Sequence, residues 1–201
     1  MDIVLPINFA YLKERYRQGD ELSDFIRDLV VPNLVERFSL DSRVSSVELI
    51  SDFDFRTVVA GFEKAVVTHH GIDTSFDSDE VAAEIIHVRQ SKSPVIVQGN
   101  PLFPFVSVAS LVSAYAAVRS GAVVSAVGAT VERSSIQDRS LGTEYDLGIF
   151  TVYSVASFEQ GQHRLTPPFN AVGLAAVELI GLRNTDDFDL FNLILNSGFL
   201  I

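Results

Sequence analysis

The sequence predicts an α/β fold: a single domain with a mostly parallel sheet and helices on both faces. Short β-branched runs alternate with segments of helical periodicity, the order typical of parallel sheets. The run Val95-Ile96-Val97 is apolar at every position, which indicates a central strand covered on both faces. No repeat, low-complexity tract or linker divides the 201 residues, so we assign residues 1–201 to one domain.

The predicted elements follow one another along the chain. A strand at 3–5 is expected to stop at Pro6. Apolar residues at helical spacing over 24–38 surround Pro32, which predicts either one kinked helix or a turn followed by a helix from Pro32. The remaining predicted strands lie at 45–50, 95–97, 122–127, 148–153 and 175–182, and the remaining predicted helices begin at 78 or span 105–119 and 186–195. For residues 57–68 the sequence does not decide between helix and strand.

The composition excludes several classes of function. Lys and Arg total 15 against 26 Asp and Glu, so the formal charge is −11, which opposes nucleic-acid binding. The absence of cysteine excludes a disulfide scaffold, a thiolate zinc site and a cysteine nucleophile. The residues after Met1-Asp2 do not form the basic leader and apolar run of a secretory signal, so we expect a cytoplasmic protein. Prolines break the uncharged stretch 94–118, so we expect no membrane span.

Two loops after predicted strands carry candidate binding residues. Lys13, Arg15 and Arg17 form the densest basic cluster, which can hold a triphosphate by charge and hydrogen bonds. The alternative is a solvated helix start with these side chains on mixed faces. The second loop is the turn Gln98-Gly99-Asn100, where glycine admits a ligand to the backbone and the amides offer donors and acceptors. The alternative for this segment is a plain turn.

Metal ligands and nucleophiles are sparse in the sequence. His69, His70 and Asp73 lie close together, but adjacent histidines point in different directions on regular structure, so we do not expect a metal there. Asp187 is either a magnesium ligand or a carboxylate at the positive end of the last predicted helix. Dinucleotide, P-loop and serine-hydrolase motifs do not occur.

Short segments in this order resemble the CMP-sugar-acid synthetases, namely the 3-deoxy-manno-octulosonate and acylneuraminate cytidylyltransferases. Leu5-Pro6-Ile7-Asn8 occupies the place of their Ile-Pro-Ala-Arg loop. VIVQGNPLFP, residues 95–104, is similar to their Val-Gln-Gly-Asp-Glu-Pro-Leu-Ile-Pro turn. Residues 147–150 resemble their Leu-Gly-Ile-Tyr strand, and residues 184–188 resemble the closing Asp-Thr motif.

The resemblance implies a nucleotide-diphospho-sugar transferase-like, Rossmann-like fold and a defined reaction. The chain would transfer CMP from CTP to a sugar acid and release pyrophosphate, with Mg²⁺ as cofactor. Lys13 and Arg17 would be the catalytic charge stabilisers. The implied nucleotide-binding residues are Asn8, Gln98, Gly99 and Asn100, and the metal candidates are Asn100 and Asp187. The implied partners are a CTP-like nucleotide, a sugar acid and a second copy of the chain.

Two departures from the family pattern keep an alternative open. Asn8 stands where the family has its loop arginine, and Asn100 stands where the family has a magnesium-binding aspartate. The alternative is a catalytically inactive protein of the same fold that binds a nucleotide or sugar, or serves as an interaction subunit. The discriminating feature is whether two carboxylates converge on the turn, and the candidates are Asp52, Asp54 and Asp73. An unrelated α/β binding domain with a flavodoxin-like sheet is a third possibility.

Overall fold

Seven strands and seven α-helices make up the described part of the fold. The computed structural model describes residues 1–16, 18–71, 78–90, 93–129, 148–161, 163–182 and 185–197. The strands are β1 (Asp2–Ile7), β2 (Ser46–Ser51), β3 (Ala65–His69), β4 (Val95–Gly99), β5 (Ser125–Ala129), β6 (Phe150–Ser154) and β7 (Phe169–Gly173). The helices are α1 (Phe9–Arg15), α2 (Gly19–Phe25), α3 (Val31–Leu40), α4 (Asp79–Arg89), α5 (Val108–Arg119), α6 (Val155–Gly161) and α7 (Asp186–Asn196).

The strands form one seven-stranded sheet in the order β3-β2-β1-β4-β6-β5-β7. All neighbours pair in parallel except β6, which runs antiparallel to both β4 and β5. The apolar strand β4 lies at the centre, as its composition predicts. The predicted α/β class, with a mostly parallel sheet, is therefore confirmed.

Helices cover both faces of this sheet. Alternate residues of β1 separate the two cores: Ile3, Leu5 and Ile7 belong to the larger one, whereas Val4 belongs to the smaller. The larger core receives buried side chains from α1, α2, α3, α5 and α7. The smaller core receives side chains from α4 and α6, among them Ile85 and Phe158. Each face thus has its own helical layer, as the sequence pattern predicts.

Two prolines lie inside regular elements without ending them. Pro6 lies within β1, beyond the two residues that are in register with β4, so the strand continues to Ile7 rather than ending. Before Pro32 the helix widens into a π-helical turn at Ile26–Val30, and α3 follows directly. The kinked-helix alternative for 24–38 is therefore the correct one.

One predicted strand is wrong. Residues 175–182 contain a 3₁₀ turn at Ala176–Leu179, whereas the late strand is β7, which follows Pro168. The Glu178 carboxylate accepts hydrogen bonds from the amides of Ala175 and Ser107, and this pairing closes the turn. An apolar run without strong periodicity is compatible with both conformations, and this tertiary contact decides between them.

The helix over 105–119 begins later than predicted. Ser107 caps α5 by accepting a hydrogen bond from the Ser110 amide, so the helix starts at Val108.

Within the described residues, no helix has both the length and the apolar character that a bilayer crossing requires.

Candidate functional site

The carboxyl ends of β1 and β2 lie side by side at one edge of the sheet, because Ile7 is in register with Ser51. In parallel α/β sheets this edge is the usual place for a ligand. The loops that leave it carry Asn8 and Asp52, and β4 ends nearby at the Gln98–Asn100 turn. These three loops form the candidate site.

Asn8 caps α1. Its buried side-chain Oδ1 accepts a hydrogen bond from the Tyr11 amide at 2.8 Å, and its carbonyl accepts one from the Leu12 amide at 3.2 Å. Asparagine is among the preferred residues at this position because its short side chain reaches the first turn. The predicted nucleotide-binding residue therefore has a role in starting the helix after β1.

Asp52 binds the other two amides at the start of α1. Its Oδ1 accepts from the Phe9 amide at 2.9 Å and its Oδ2 accepts from the Ala10 amide at 3.0 Å. Together with the two hydrogen bonds to Asn8, these contacts satisfy the first four amides of the helix. A carboxylate of the chain itself occupies the positive end of α1.

The basic residues of the first loop lie on α1 and after it. Lys13 Nζ is 3.1 Å from Asp20 Oδ1, and both side chains are largely exposed. An exposed pair of this kind contributes little stability. Arg17, the other predicted catalytic residue, lies outside the described residues. Residues 9–15 form a helix rather than an open phosphate-binding loop, in line with the helix-start alternative for this cluster.

Asn100 organises the turn after β4 with both atoms of its amide. Oδ1 accepts a hydrogen bond from the Leu102 amide at 2.9 Å, and Nδ2 donates one to the Gly148 carbonyl at 2.5 Å. The side chain is 9% exposed. A Cβ at position 99 would lie 2.8 Å from Leu5 Cδ2, so the leucine side chain would have to shift to admit one. Gly99 thus packs against β1.

Gln98 points to the sheet face that α4 and α6 cover. It is in register with Val4, is 2% exposed, and accepts a hydrogen bond from the Tyr153 hydroxyl at 3.2 Å. Burial raises the pKa of Tyr153 well above its ordinary value, so the hydroxyl stays protonated and donates. The structure therefore brings Gln98 together with Tyr153 on one face, while Asn100 belongs to the turn.

The segment that follows the turn is held from two sides. Arg37 of α3 donates hydrogen bonds to the carbonyls of Pro104 at 2.6 Å and Val106 at 3.1 Å. Burial lowers the pKa of Arg37, and the nearby Glu178 partly opposes this shift. Burial also disfavours ionised Glu178, but hydrogen bonds from Ser107 and Ala175 outweigh it, and the pKa of Glu178 is lowered. The loop after β4 is fixed in place.

A polar cluster at the start of α4 was not predicted from the sequence. Burial opposes ionisation of Asp79, yet contacts from Arg164 and His163 lower its pKa. The Arg164 amide donates to Asp79 Oδ1 at 2.9 Å, His163 Nδ1 is 3.0 Å from Oδ2, and Arg164 Nη1 donates to Thr151 Oγ1 at 3.4 Å. The sequence marks Asp79 only as a helix-terminus carboxylate, because its partners come from a distant irregular loop.

The described residues do not fit a magnesium ion at the predicted position. Asn100 is uncharged and its Oδ1 already accepts a hydrogen bond, whereas magnesium favours carboxylate oxygens. The Asp52 carboxylate accepts a hydrogen bond from the Phe9 amide of α1, and Asp54 Oδ1 lies 3.6 Å from Arg56 Nε. Across the part of the chain that the structure describes, no group of three or more His, Asp or Glu could hold a metal. Asp73 lies outside that part.

The other candidate metal ligands, and a cavity beneath the turn after β4, have simple structural explanations. His69 Nε2 lies 3.1 Å from the Asp52 carbonyl, and His70 contacts Glu84 of α4. Asp187 lies in the first turn of α7, where its charge favours the helix start. A small apolar cavity beneath the Gly99–Asn100 turn is lined by core side chains such as Leu34 and Phe38. Its walls belong to the hydrophobic core.

Comparison with solved structures assigns the fold. The chain resembles a CMP:2-keto-3-deoxy-manno-octonic acid synthetase complexed with CTP, with a TM-score of 0.64, 13% identity, and 98% of each chain covered. The chain has the cytidylyltransferase fold. A 4-diphosphocytidyl-2C-methyl-D-erythritol synthase from Anaerococcus prevotii gives a TM-score of 0.62 at 11% identity, covering 97% of this chain and 95% of that one.

A third similar structure comes from another organism. The 2-C-methyl-D-erythritol 4-phosphate cytidylyltransferase of Francisella tularensis matches with a TM-score of 0.62 and 12% identity, over 96% of this chain and 98% of that one. No family model and no curated protein sequence matches the chain. The comparisons thus confirm the cytidylyltransferase fold that the sequence resemblance implies, and the sugar-acid branch stays a prediction.

Proposed function

We propose that this chain is a catalytically inactive protein of the cytidylyltransferase fold that acts as an interaction subunit or binds a sugar or nucleoside, but not a nucleoside triphosphate. The observation that carries the proposal is the occupation of the α1 start by Asp52, which accepts hydrogen bonds from the amides of Phe9 and Ala10. A triphosphate that approached these amides would meet a carboxylate already bound there, and two anions repel each other at short range.

The turn after β4 supports the same proposal. Phosphoryl transfer depends on positioning and on neutralising the charge that develops on the phosphates. Asn100 brings no charge to the turn, and its amide is engaged with Leu102 and Gly148. Lys13 is engaged with Asp20. Among the described residues, those that the resemblance assigns to the reaction thus serve the fold or pair with carboxylates, whereas Arg17 lies outside them.

A titration with CTP tests this function. We expect CTP, with or without Mg²⁺, to leave the thermal unfolding midpoint unchanged, and we expect no pyrophosphate release with any sugar acid. Ligands that bind only the folded state raise its stability by about 2.7 kcal/mol at a hundredfold excess over Kd, so binding would be visible. Sugar acids and nucleosides are screened in parallel, since the proposal retains binding without transfer.

Active CMP transfer is the second candidate function. It is favoured by the near-complete coverage of a solved synthetase described as complexed with CTP. In that case a sugar-acid hydroxyl attacks the α-phosphate of CTP and pyrophosphate leaves. Lys13 and Arg17 stabilise charge on the phosphates, while Asn8, Gln98, Gly99 and Asn100 frame the nucleotide.

Matched variants separate the two functions. If the chain is active, Lys13→Ala weakens CTP binding, whereas Arg56→Ala, which removes another exposed and paired cation, leaves it unchanged. If our proposal holds, CTP leaves the thermal unfolding midpoint of both variants unchanged and neither variant releases pyrophosphate. Turnover with pyrophosphate release by the unmodified chain would overturn the inactive assignment.

A further inference from the structure

Strand β3 forms one edge of the described sheet, with β2 as its neighbour. At the two ends of their ladder the Lys64 carbonyl accepts a hydrogen bond from β2 at 2.8 Å, and the His70 amide donates one to β2 at 2.7 Å. Alternate residues of a strand bond to the same neighbour, so the backbone groups of Val67 and His69 point away from β2. Within the described residues, no hydrogen bond outside the ladder involves these groups. We call residues 65–69 the β3 edge.

The β3 edge lacks the usual protection against pairing with another strand. Natural sheets protect an edge with a charged side chain, often lysine, with proline or with a bulge. The β3 edge reads Ala-Val-Val-Thr-His, without Lys, Arg, Asp, Glu or Pro, and its register with β2 is unbroken. At the opposite edge of the sheet, by contrast, Pro167 and Pro168 directly precede β7. The β3 edge is therefore open to a further strand.

We propose that the β3 edges of two copies of the chain pair antiparallel about a two-fold axis at Val67. In this arrangement the amide and carbonyl of Val67 bond to the same groups of the other copy, and the His69 amide reaches the Ala65 carbonyl. The side chains meet without like charges, since Val66 lies opposite Thr68 and Ala65 lies opposite His69. The two sheets then continue into one another.

Two observations select a second copy of the chain as the occupant. The edge is complementary to itself, so each copy supplies the donors and acceptors that the other needs, as in other isologous contacts. The chain carries a formal charge of −11, and at this uncharged strand two copies can approach with little repulsion. Five residues a side make a small contact, so we expect weak association at high protein concentration, in addition to any stronger contact. The proposal does not rest on the proposed function, because the β3 edge lies outside the three loops of the candidate site.

Sedimentation equilibrium of the full chain, from micromolar to near-millimolar concentration, tests the proposal. We expect the weight-average mass of the unmodified chain to rise with concentration. Hydrogen exchange followed by NMR gives a second readout on the same chain. The amides of Val67 and His69 should exchange more slowly in the concentrated sample, because they gain acceptors from the other copy. The amide of Ala171, in the middle of the other edge strand, should exchange equally fast in both samples.

A pair of lysine variants assigns the association to this edge. Val66→Lys, at a 42% exposed site, places two like charges close to the two-fold axis, because the substituted side chains are diagonal neighbours in the pairing. It should remove the concentration dependence of the mass. Leu40→Lys makes the same change of charge at an 81% exposed site at the end of α3, and should keep that dependence. Thermal unfolding checks that both variants fold, and the exchange measurement decides if Val66→Lys does not.

Several results would overturn the pairing. One is a mass of the unmodified chain that does not change with concentration. Another is association of folded Val66→Lys equal to that of the unmodified chain, or loss of association in Leu40→Lys as well. A rise in mass without slower exchange at Val67 also overturns the proposal, because the copies then meet at another surface.

Discussion

Asp52 and Asn100 determine how the strand-end loops are built. Each side chain forms two hydrogen bonds with backbone groups: Asp52 with the start of α1, and Asn100 with Leu102 and Gly148. Backbone polar groups at loop ends need such partners, and leaving one without a partner costs about 1–3 kcal/mol when it is buried. These residues therefore have a structural explanation that the sequence motif does not show.

Asp52→Ala is predicted to destabilise the protein by about 1–2 kcal/mol, because the amides of Phe9 and Ala10 lose their acceptor. The loss is limited because water can bind the exposed Ala10 amide in place of the carboxylate. Urea unfolding at pH 7 measures the change. Asp54→Ala removes an exposed neighbour that pairs with Arg56, and we expect it to stay within about 0.5 kcal/mol of the unmodified chain. Equal effects of the two substitutions would contradict the role given to Asp52.

Gly19→Ala is predicted to destabilise the contact between α1 and α2. A Cβ at Gly19 would lie 2.4 Å from Lys13 Cα and 2.5 Å from the Leu12 carbonyl oxygen, so the backbone of α1 would have to move. Overpacking of this kind costs about 1–3 kcal/mol. Gly61→Ala is the control, since nothing lies within 4 Å of its added Cβ. Chemical unfolding of both variants compares the two glycines directly.

Element boundaries depend on side chains from other parts of the fold. The 3₁₀ turn Ala176–Leu179 and the start of α5 share the Glu178 carboxylate, which accepts from the Ala175 and Ser107 amides. Arg37 of α3 fixes the same segment through the Pro104 and Val106 carbonyls. These contacts join α3, α5 and the 3₁₀ turn around the loop that follows β4.

Glu178→Gln is predicted to flatten the pH dependence of stability. The lowered folded-state pKa of Glu178 means that its ionised form contributes stability above the unfolded pKa of about 4.3, and that this contribution is lost as pH falls through the folded pKa. Unfolding midpoints of the unmodified chain should therefore fall more steeply below about pH 5 than those of the variant. Glu36→Gln, at an exposed site of α3, should keep the original slope.

At the scale of the whole molecule, the sheet carries two cores of unequal size. The face covered by α1, α2, α3, α5 and α7 holds most of the buried side chains, and the face under α4 and α6 holds a smaller cluster. The outer side of α5 bears small residues, with Ala109, Ser113 and Ala116 exposed. We predict that this surface forms the contact with a second copy of the chain, the partner that the sequence resemblance implies.

Light scattering is predicted to give twice the monomer mass of 22.0 kDa. Ala116→Arg should shift the protein towards monomer if α5 forms the contact, because a long charged side chain would have to be buried between the copies. Ala60→Arg, at another exposed alanine, should leave the mass unchanged. A monomeric unmodified chain would contradict the prediction.

The sequence by itself determined the α/β class, the central position of β4 and the helix start at Ser78, because periodicity and capping depend on neighbours within a few residues. Only the tertiary structure decided which groups the polar residues of the site contact. Asp52 reaches α1 across 43 residues and Asp79 meets Arg164 across 85, and no local pattern encodes such partners. The fold class follows from the spacing of apolar residues along the chain. The hydrogen-bond partners of the polar residues at the strand ends depend instead on which loops the sheet brings together.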